Sequence, residues 1–291
     1  MSAKKGTIGI IGAGTVGSAL AILLHRRGYR VIAINSRTRA SAEKLAAQVP
    51  GSNVVDSYQA VAGSVDLTFI TTPDGAIPLV ASQITWKPGM NAVHCSGSDS
   101  VAVLEPAGKA GAGVAGFHPL QTFAGVTQAI DNIPGSTFAI EAEGELLTFL
   151  GTVAEDIGGH WITLKAGDKP AYHTAAVLAC NYLVTLVNMA ADLWKTFDVP
   201  ADTAVKALLP LLRGTLHNIE TIGLPDCLTG PIARGDTGTL EKHLDTISEK
   251  VPSLLTTYRE LGRQTIPVAF ARGKIDREKA REMETLLTKS L

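Results

Sequence analysis

The run Gly12-Ala13-Gly14-Thr15-Val16-Gly17 constrains this chain more than any other feature. Alone, such a glycine pattern is a weak signal. Here it follows a short apolar run, Thr7 to Ile11, and opens a helical stretch, Thr15 to Arg27, that is apolar on all sides and stops at Gly28. That context predicts a strand, a phosphate-binding turn and a helix packed on a sheet. The first glycine permits the turn, the second lets backbone approach a pyrophosphate, and the third lets helix and strand pack closely. The helix start, with Thr15 and Val16, offers free N–H groups to the phosphates. At the end of a second strand, Arg30 to Ile34, an NAD site carries Asp or Glu for the ribose hydroxyls. This chain has Asn35-Ser36-Arg37 instead. No carboxylate repels a 2′-phosphate there, and the Arg37 guanidinium can pair with one in a fork. The expected cofactor is NADP(H), held by the glycine turn together with Asn35, Ser36 and Arg37. Thr72 and Pro73, after a strong strand over Val65 to Thr71, are expected beside it, because ligands of such sheets lie outside the carboxyl ends of the strands.

Strand and helix patterns go on alternating. Further strands are expected near Asn53 to Val55, Asn91 to Cys95 and Gly113 to Phe117, with Ser136 to Glu141 and His160 to Leu164 extending the sheet around a helix from Leu146 to Ile157. This predicts an α/β, doubly wound, mostly parallel sheet over residues 1–164 and an all-α domain over 165–291. Lys169 to Phe197 reads as one long helix. Within it Ala175 to Trp194 is nearly long enough to span a bilayer, but Asn181, Asn188 and Asp192 would be costly in lipid, so a buried core helix of a soluble domain is expected. With 291 residues and a formal net charge of −1, the chain has no long-range field to gather nucleic acid or an anionic membrane. The 3 cysteines, Cys95, Cys180 and Cys227, suggest neither a disulfide framework nor a metal site, and fit a reducing cytoplasm.

Hydride transfer is a nicotinamide's work; the protein must place the acceptor and manage a proton. Three stretches suit that task. In Phe117-His118-Pro119-Leu120-Gln121-Thr122-Phe123, His118 follows a predicted strand and so faces the ligand crevice, although a lone histidine is as readily structural. At the start of the long helix, Lys169, His173 and Asn181 are spaced by four and then eight residues, which keeps them near one helical face, with Tyr172 alongside. Lys169 and His173 could polarise a carbonyl or imine; the plainer reading is a polar first turn. In Leu228-Thr229-Gly230-Pro231-Ile232-Ala233-Arg234-Gly235-Asp236, Arg234 could hold a carboxylate, or simply pair with Asp236. Ser96, after the Asn91 strand, is a further substrate contact, with Ser98 or Asp99 capping the next helix.

These stretches, with His94-Cys95-Ser96-Gly97, together resemble one family over essentially the whole chain: bacterial Rossmann-like proteins with a C-terminal domain of unknown function, number 2520. The family is described as predicted oxidoreductases related to pyrroline-5-carboxylate reductase, ketopantoate reductase and the 6-phosphogluconate dehydrogenase group. The resemblance implies a helical C-terminal domain used for homodimerisation. In the hydroxyacid and ketopantoate reductases a helix lysine is followed one turn later by asparagine. Lys169 matches the lysine, but His173 stands at the asparagine position, which leaves either residue as the acid. His118-Pro119 is also similar to the His-Pro of prephenate dehydrogenases. The expected activity is NADPH-dependent reduction of a carbonyl or imine on a small carboxylate-bearing metabolite, a ketopantoate-like 2-oxo acid first. The alternatives are a prephenate-dehydrogenase type of hydroxy-acid oxidation, a non-catalytic NADP(H)-binding sensor or partner protein, and methyl transfer from S-adenosylmethionine, against which Arg37 argues.

Overall fold

Strand β1 (Thr7–Ile11) opens the first of two compact units in the computed structural model, which describes residues 6–288. After it come β2 (Arg30–Asn35), β3 (Asn53–Val54), β4 (Leu67–Ile70), β5 (Asn91–His94), β6 (Gly113–Leu120), β7 (Thr137–Glu141) and β8 (His160–Thr163). They form one sheet in the order β3-β2-β1-β4-β5-β6-β7-β8. Every neighbouring pair is parallel except β6 with β7. The apolar runs of β1 and β4 are buried from end to end apart from Thr7, as strands covered on both faces must be. On one face, Ile8, Ile10, Phe69, Phe117 and Phe138 pack with the helix Thr15–Arg26, whose residues Gly17 to Leu24 are all buried. On the other, Ile11, Ala33, Ile70 and Ala92 pack with Ile77, Trp86 and Leu104. Chain order reverses across β1, which leaves a crevice at the carboxyl ends of β1 and β4.

Strand β6 departs from expectation in a way that shapes the site. It does not stop at Phe117 but runs on to Leu120. Its first half, Gly113 to Gly116, pairs with β5, and its second half, Gly116 to Leu120, pairs with β7. His118 therefore sits inside a strand, two residues beyond the last residue paired with β5, rather than in a loop after it. Alternation puts His118 on the face opposite Phe117, whose ring is stacked on Phe138 at 4.5 Å.

The first unit extends through Cys180, so the compact units part there rather than after residue 164. The cause is the helix Lys169–Ala179, whose first residue is fully buried and bonded to the loop after β5. The expected long helix is also interrupted, at Cys180, before resuming as Asn181–Trp194. The second unit is all-helical, with further helices Ala201–Thr221, Pro231–Arg234, Thr237–Lys250, Leu255–Ala271 and Arg277–Thr288. Its core, including Leu240, Leu244, Ile266, Ala269 and Met283, is drawn from the later helices. The stretch Lys169–Phe197 is long and apolar enough to cross a membrane, yet only 6% of its apolar window is buried. It is not the buried core helix expected. Tyr182, Val184 and Leu186 on it, and Leu211 and Leu216 on Ala201–Thr221, are exposed.

Candidate active site

The glycine turn has the geometry its pattern demands. Gly12 has φ +108°, and a Cβ there would lie 2.8 Å from the Thr71 carbonyl carbon. A Cβ on Gly17 would run into the Gly12 carbonyl and the Thr71 hydroxyl, which itself donates to Gly12 O at 2.6 Å. Around Gly14, by contrast, there is open space. The helix Thr15–Arg26 starts at Gly14 with neither a side-chain cap nor an acidic residue in its first turn. Its free N–H groups and positive dipole end thus face that space. A cavity of about 350 Å³ opens there, lined among others by Gly14, Ser36, Arg37, Tyr58, Thr72 and Pro73. Among the described residues the Thr72 hydroxyl is buried with no hydrogen-bond partner, a donor and acceptor left unused.

Arg37 is exposed, and among the described residues it makes no ion pair. Arg39 is committed to Glu43 at 2.9 Å and Asp56 at 2.6 Å. The guanidinium at the end of β2 that can meet an anion is therefore that of Arg37. Asn35 departs from its expected role: its side chain is 8% exposed and donates to Val55 O at 2.7 Å, while its carbonyl accepts from Gly12 N at 2.8 Å. It fixes the turn rather than reaching into the cavity. Ser36 Oγ similarly accepts from Ala13 N at 3.3 Å.

The second cluster forms where the loop after β5 meets the overrun of β6 and the start of Lys169–Ala179. Gly97 is buried, and a Cβ on it would lie 2.7 Å from His173 Cδ2 and 2.8 Å from His118 Nε2. Two imidazoles from different elements thus close on one glycine. His118 Nδ1 is 2.7 Å from the Tyr172 hydroxyl. Burial, reinforced by Lys169 and His173, pushes the His118 pKa down to about 4, and burial pushes that of Tyr172 up to about 12. Near neutrality both are uncharged. In the tautomer in which Tyr172 donates to Nδ1, the ring's own proton lies on Nε2, the nitrogen beside Gly97; in the other, Nδ1–H donates to the phenol and Nε2 is bare.

Lys169 and Ser96 sit differently from expectation. Lys169 is 0% exposed, and its Nζ donates to Ser96 O at 2.6 Å rather than facing a crevice beside His173. Ser96 is 2% exposed, and its Oγ accepts from Asp99 N at 3.0 Å. It ties the turn; the helical turn that follows is capped by Ser100, not by Ser98 or Asp99. Ser98 instead donates to Asp74 at 3.3 Å, joining the loops after β4 and β5. In the second unit, Asn181 is exposed at the start of its helix. Arg234 is exposed and only loosely paired with Asp236 at 3.9 Å, while Asp236 caps the next helix through Thr239 N at 3.0 Å. Sequence reasoning missed Gly97 and Glu141. Glu141 is 5% exposed at the end of β7, and the signal for it was a lone carboxylate closing an apolar strand.

Comparison with other proteins is consistent with this architecture. Residues 1–119 match the Rossmann-like domain, and residues 136–265 match the domain of unknown function 2520. Among solved structures, a protein from Thermotoga maritima aligns with a TM-score of 0.75 and 25% identity over 91% of this chain and 99% of its own. A protein from Bacteroides fragilis, provisionally named an NADP oxidoreductase, aligns with a TM-score of 0.70 and 25% identity over 90% and 98%. A reductive aminase from Aspergillus terreus, solved with NADPH and ethyl levulinate, shares the fold with a TM-score of 0.65 and 18% identity over 96% and 99%. No curated protein matches the chain.

Proposed function

We propose that this chain, which belongs to the Rossmann-like proteins carrying the domain of unknown function 2520, is an NADPH-dependent oxidoreductase that reduces a carbonyl or imine carbon of a small carboxylate-bearing metabolite. The convergence of His118 and His173 on Gly97 carries the reading. The cofactor half rests on the fit of the chain to NADP(H): open backbone at Gly14, an unpartnered Thr72 hydroxyl, and an Arg37 without an acidic partner. Gly12, Gly14, Thr15, Val16 and Gly17 would hold the pyrophosphate, Arg37 the 2′-phosphate, and Thr72 and Pro73 the path along β4. Solved relatives named for NADP chemistry or bound to NADPH support the same assignment. When bound, the nicotinamide supplies the hydride.

The chain's own residues do the rest. His118, neutral and oriented by Tyr172, offers Nε2–H to the oxygen or nitrogen of the acceptor and polarises it. His173, whose ring closes on the same Cβ position of Gly97, is the group placed to deliver the proton. In the second unit, Arg234, whose pairing with Asp236 is loose, has a guanidinium able to take a carboxylate. The same pair of histidines would serve oxidation of a hydroxy acid, since a neutral His118 can take up a hydroxyl hydrogen bond in either direction. The exposed apolar side chains of Asn181–Trp194 and Ala201–Thr221 support a homodimer built on the helical unit, and the free cysteines Cys95, Cys180 and Cys227 fit a reducing cytoplasm.

The deciding experiment is a fluorescence titration with NADPH, NADH and S-adenosylmethionine, followed by turnover on 2-oxo acids and cyclic imines. NADPH-selective binding is expected, with turnover lost in His118→Ala and His173→Ala but binding kept. Absence of nicotinamide binding would overturn the proposal, and tight binding with no turnover across the panel would favour a sensor.

A further inference from the structure

His94, Gly116 and Glu141 lie side by side on β5, β6 and β7, since Gly116 is the register partner of both. Residues paired across strands share a face of the sheet. Gly116 leaves a gap on that face, and two side chains fill it. The position a Cβ would take is 3.2 Å from His94 Nε2 and 3.4 Å from Lys169 Nζ. Among the described residues, Lys169 and Glu141 are the only buried members of the Lys, Arg, Asp and Glu set; they make no direct ion pair, and Gly116 lies between them, the register partner of Glu141 and 3.4 Å, at its Cβ position, from Lys169 Nζ. Glu141 Oε2 accepts from Val101 N at 3.0 Å, and Oε1 is buried without a hydrogen-bond partner among the described residues. Lys169 Nζ spends one N–H on Ser96 O and has two more to offer.

A buried ammonium without a counter-charge is costly enough that the group would ordinarily shed its proton. Burial does press Lys169 that way, and Glu141 is the foremost of the carboxylates opposing it. His94 contributes no charge near neutrality: burial, and then Lys169, push its pKa down to about 4. Its Nδ1 accepts from Ser96 N at 3.2 Å. Lys169 Nζ therefore bonds the Ser96 carbonyl and shares the gap over Gly116 with a neutral imidazole, and the groups whose charge acts on it from further off are Glu141 first, then Cys95, Asp74 and Asp99.

We propose that Glu141 and Lys169 form a buried charge pair across Gly116 whose task is to hold the Ser96–Gly97 turn against His118 and His173. Lys169 is then a positioning residue and not the proton donor, and Glu141 is a second positioning residue acting through it. The turn is gripped on both sides of Ser96: Lys169 takes its carbonyl, and His94 takes its N–H. Loss of either charge leaves the other buried and uncompensated, and it releases the turn on which the two histidines close.

The functional half of this inference rests on the reductase reading; the charge-pair half does not, so the test has two arms. In the first, urea midpoints are measured for full-length Glu141→Gln, Lys169→Met and the double variant. Each single change is expected to lower the midpoint, and the double to lower it by less than either single change. Additive losses, or a double variant that does not fold, would overturn the pair. In the second, the pH dependence of turnover is compared with NADPH affinity. Lys169→Met and Glu141→Gln are expected to lower kcat roughly 10- to 100-fold at every pH, as a displaced turn would, with NADPH affinity kept. Glu141→Asp should recover part of the loss. Disappearance of one limb of the pH profile in Lys169→Met would make Lys169 the acid and overturn the positioning role. Should no substrate be found, the urea arm still decides whether the pair exists.

Discussion

Replacing Gly97 by alanine places a methyl group between two imidazoles. Its carbon would lie 2.7 Å from His173 Cδ2, 2.8 Å from His118 Nε2 and 3.0 Å from His118 Cε1. Non-bonded heavy atoms settle at about 3.5–4.0 Å, so the overlap is roughly 1 Å on each ring. The backbone adds nothing to the cost, because Gly97 is not among the glycines of positive φ. His118 cannot yield freely: its Nδ1 is held at 2.7 Å by Tyr172, and its Cα lies in a strand paired with β7. His173 is the more movable ring, on the surface of a helix turn. Overpacking of this kind costs about 1–3 kcal/mol of stability. Displacing catalytic groups by about 1 Å costs on the order of 100-fold in rate. Gly97 does not line the cavity at the glycine turn, so NADPH affinity should be retained. The assay is kcat alongside an NADPH titration and a thermal melt. An alanine variant with normal kcat would refute the idea that both rings act at Gly97.

Four further outcomes follow from the same coordinates. Gly14→Ala meets nothing within 4 Å, so it should melt like the parent yet bind NADPH at least tenfold more weakly, a contrast visible by running melt and titration on one sample. Arg37→Ala should weaken NADPH by roughly 10- to 100-fold, the worth of about 1.5–3 kcal/mol for a charge-assisted contact, and leave NADH unchanged; equal effects on both cofactors would count against a 2′-phosphate site. His94 and His118 each titrate near 4 when folded against about 6.5 unfolded, so the unfolded chain holds more protons between those values. Stability from these groups is complete above about pH 6.5 and is lost as pH falls toward 4, with a limiting slope of about 2.7 kcal/mol per pH unit for the two; urea midpoints that stay flat over that window would contradict it. Val184→Asp or Leu211→Asp, at positions 70% and 66% exposed, should convert a dimer to monomer in sedimentation, whereas an unchanged mass would remove these faces from the interface.

The glycine turn was legible because its requirements can be met only by glycine: a positive φ at Gly12, and the close approach of Thr71 to both Gly12 and Gly17, each exclude a side chain whatever the rest of the chain does. The doubly wound unit was legible for another reason, since strands covered on both faces read as unbroken apolar runs. Helix Lys169–Phe197 was not. Its composition is that of a core helix, but burial depends on what packs against it, and the core of the second unit is assembled from the helices after Gly230.

The Lys169 cluster shows where helical spacing stops being informative. Four residues separate Lys169 from His173, and they do share a face, yet one ends fully buried against Ser96 O and the other beside Gly97. Depth was decided elsewhere, by β6 changing partners at Gly116. That change lets β7 bring Glu141 across Gly116 from His94 and opens, over a residue with no side chain, the space an ammonium can fill. The same overrun carries His118 past the end of β5 to meet Tyr172. Nothing in the run Gly113 to Leu120 marks where one pairing gives way to the next, because both halves alternate alike. Register is a property of three strands at once, and the chemistry of this site follows from it.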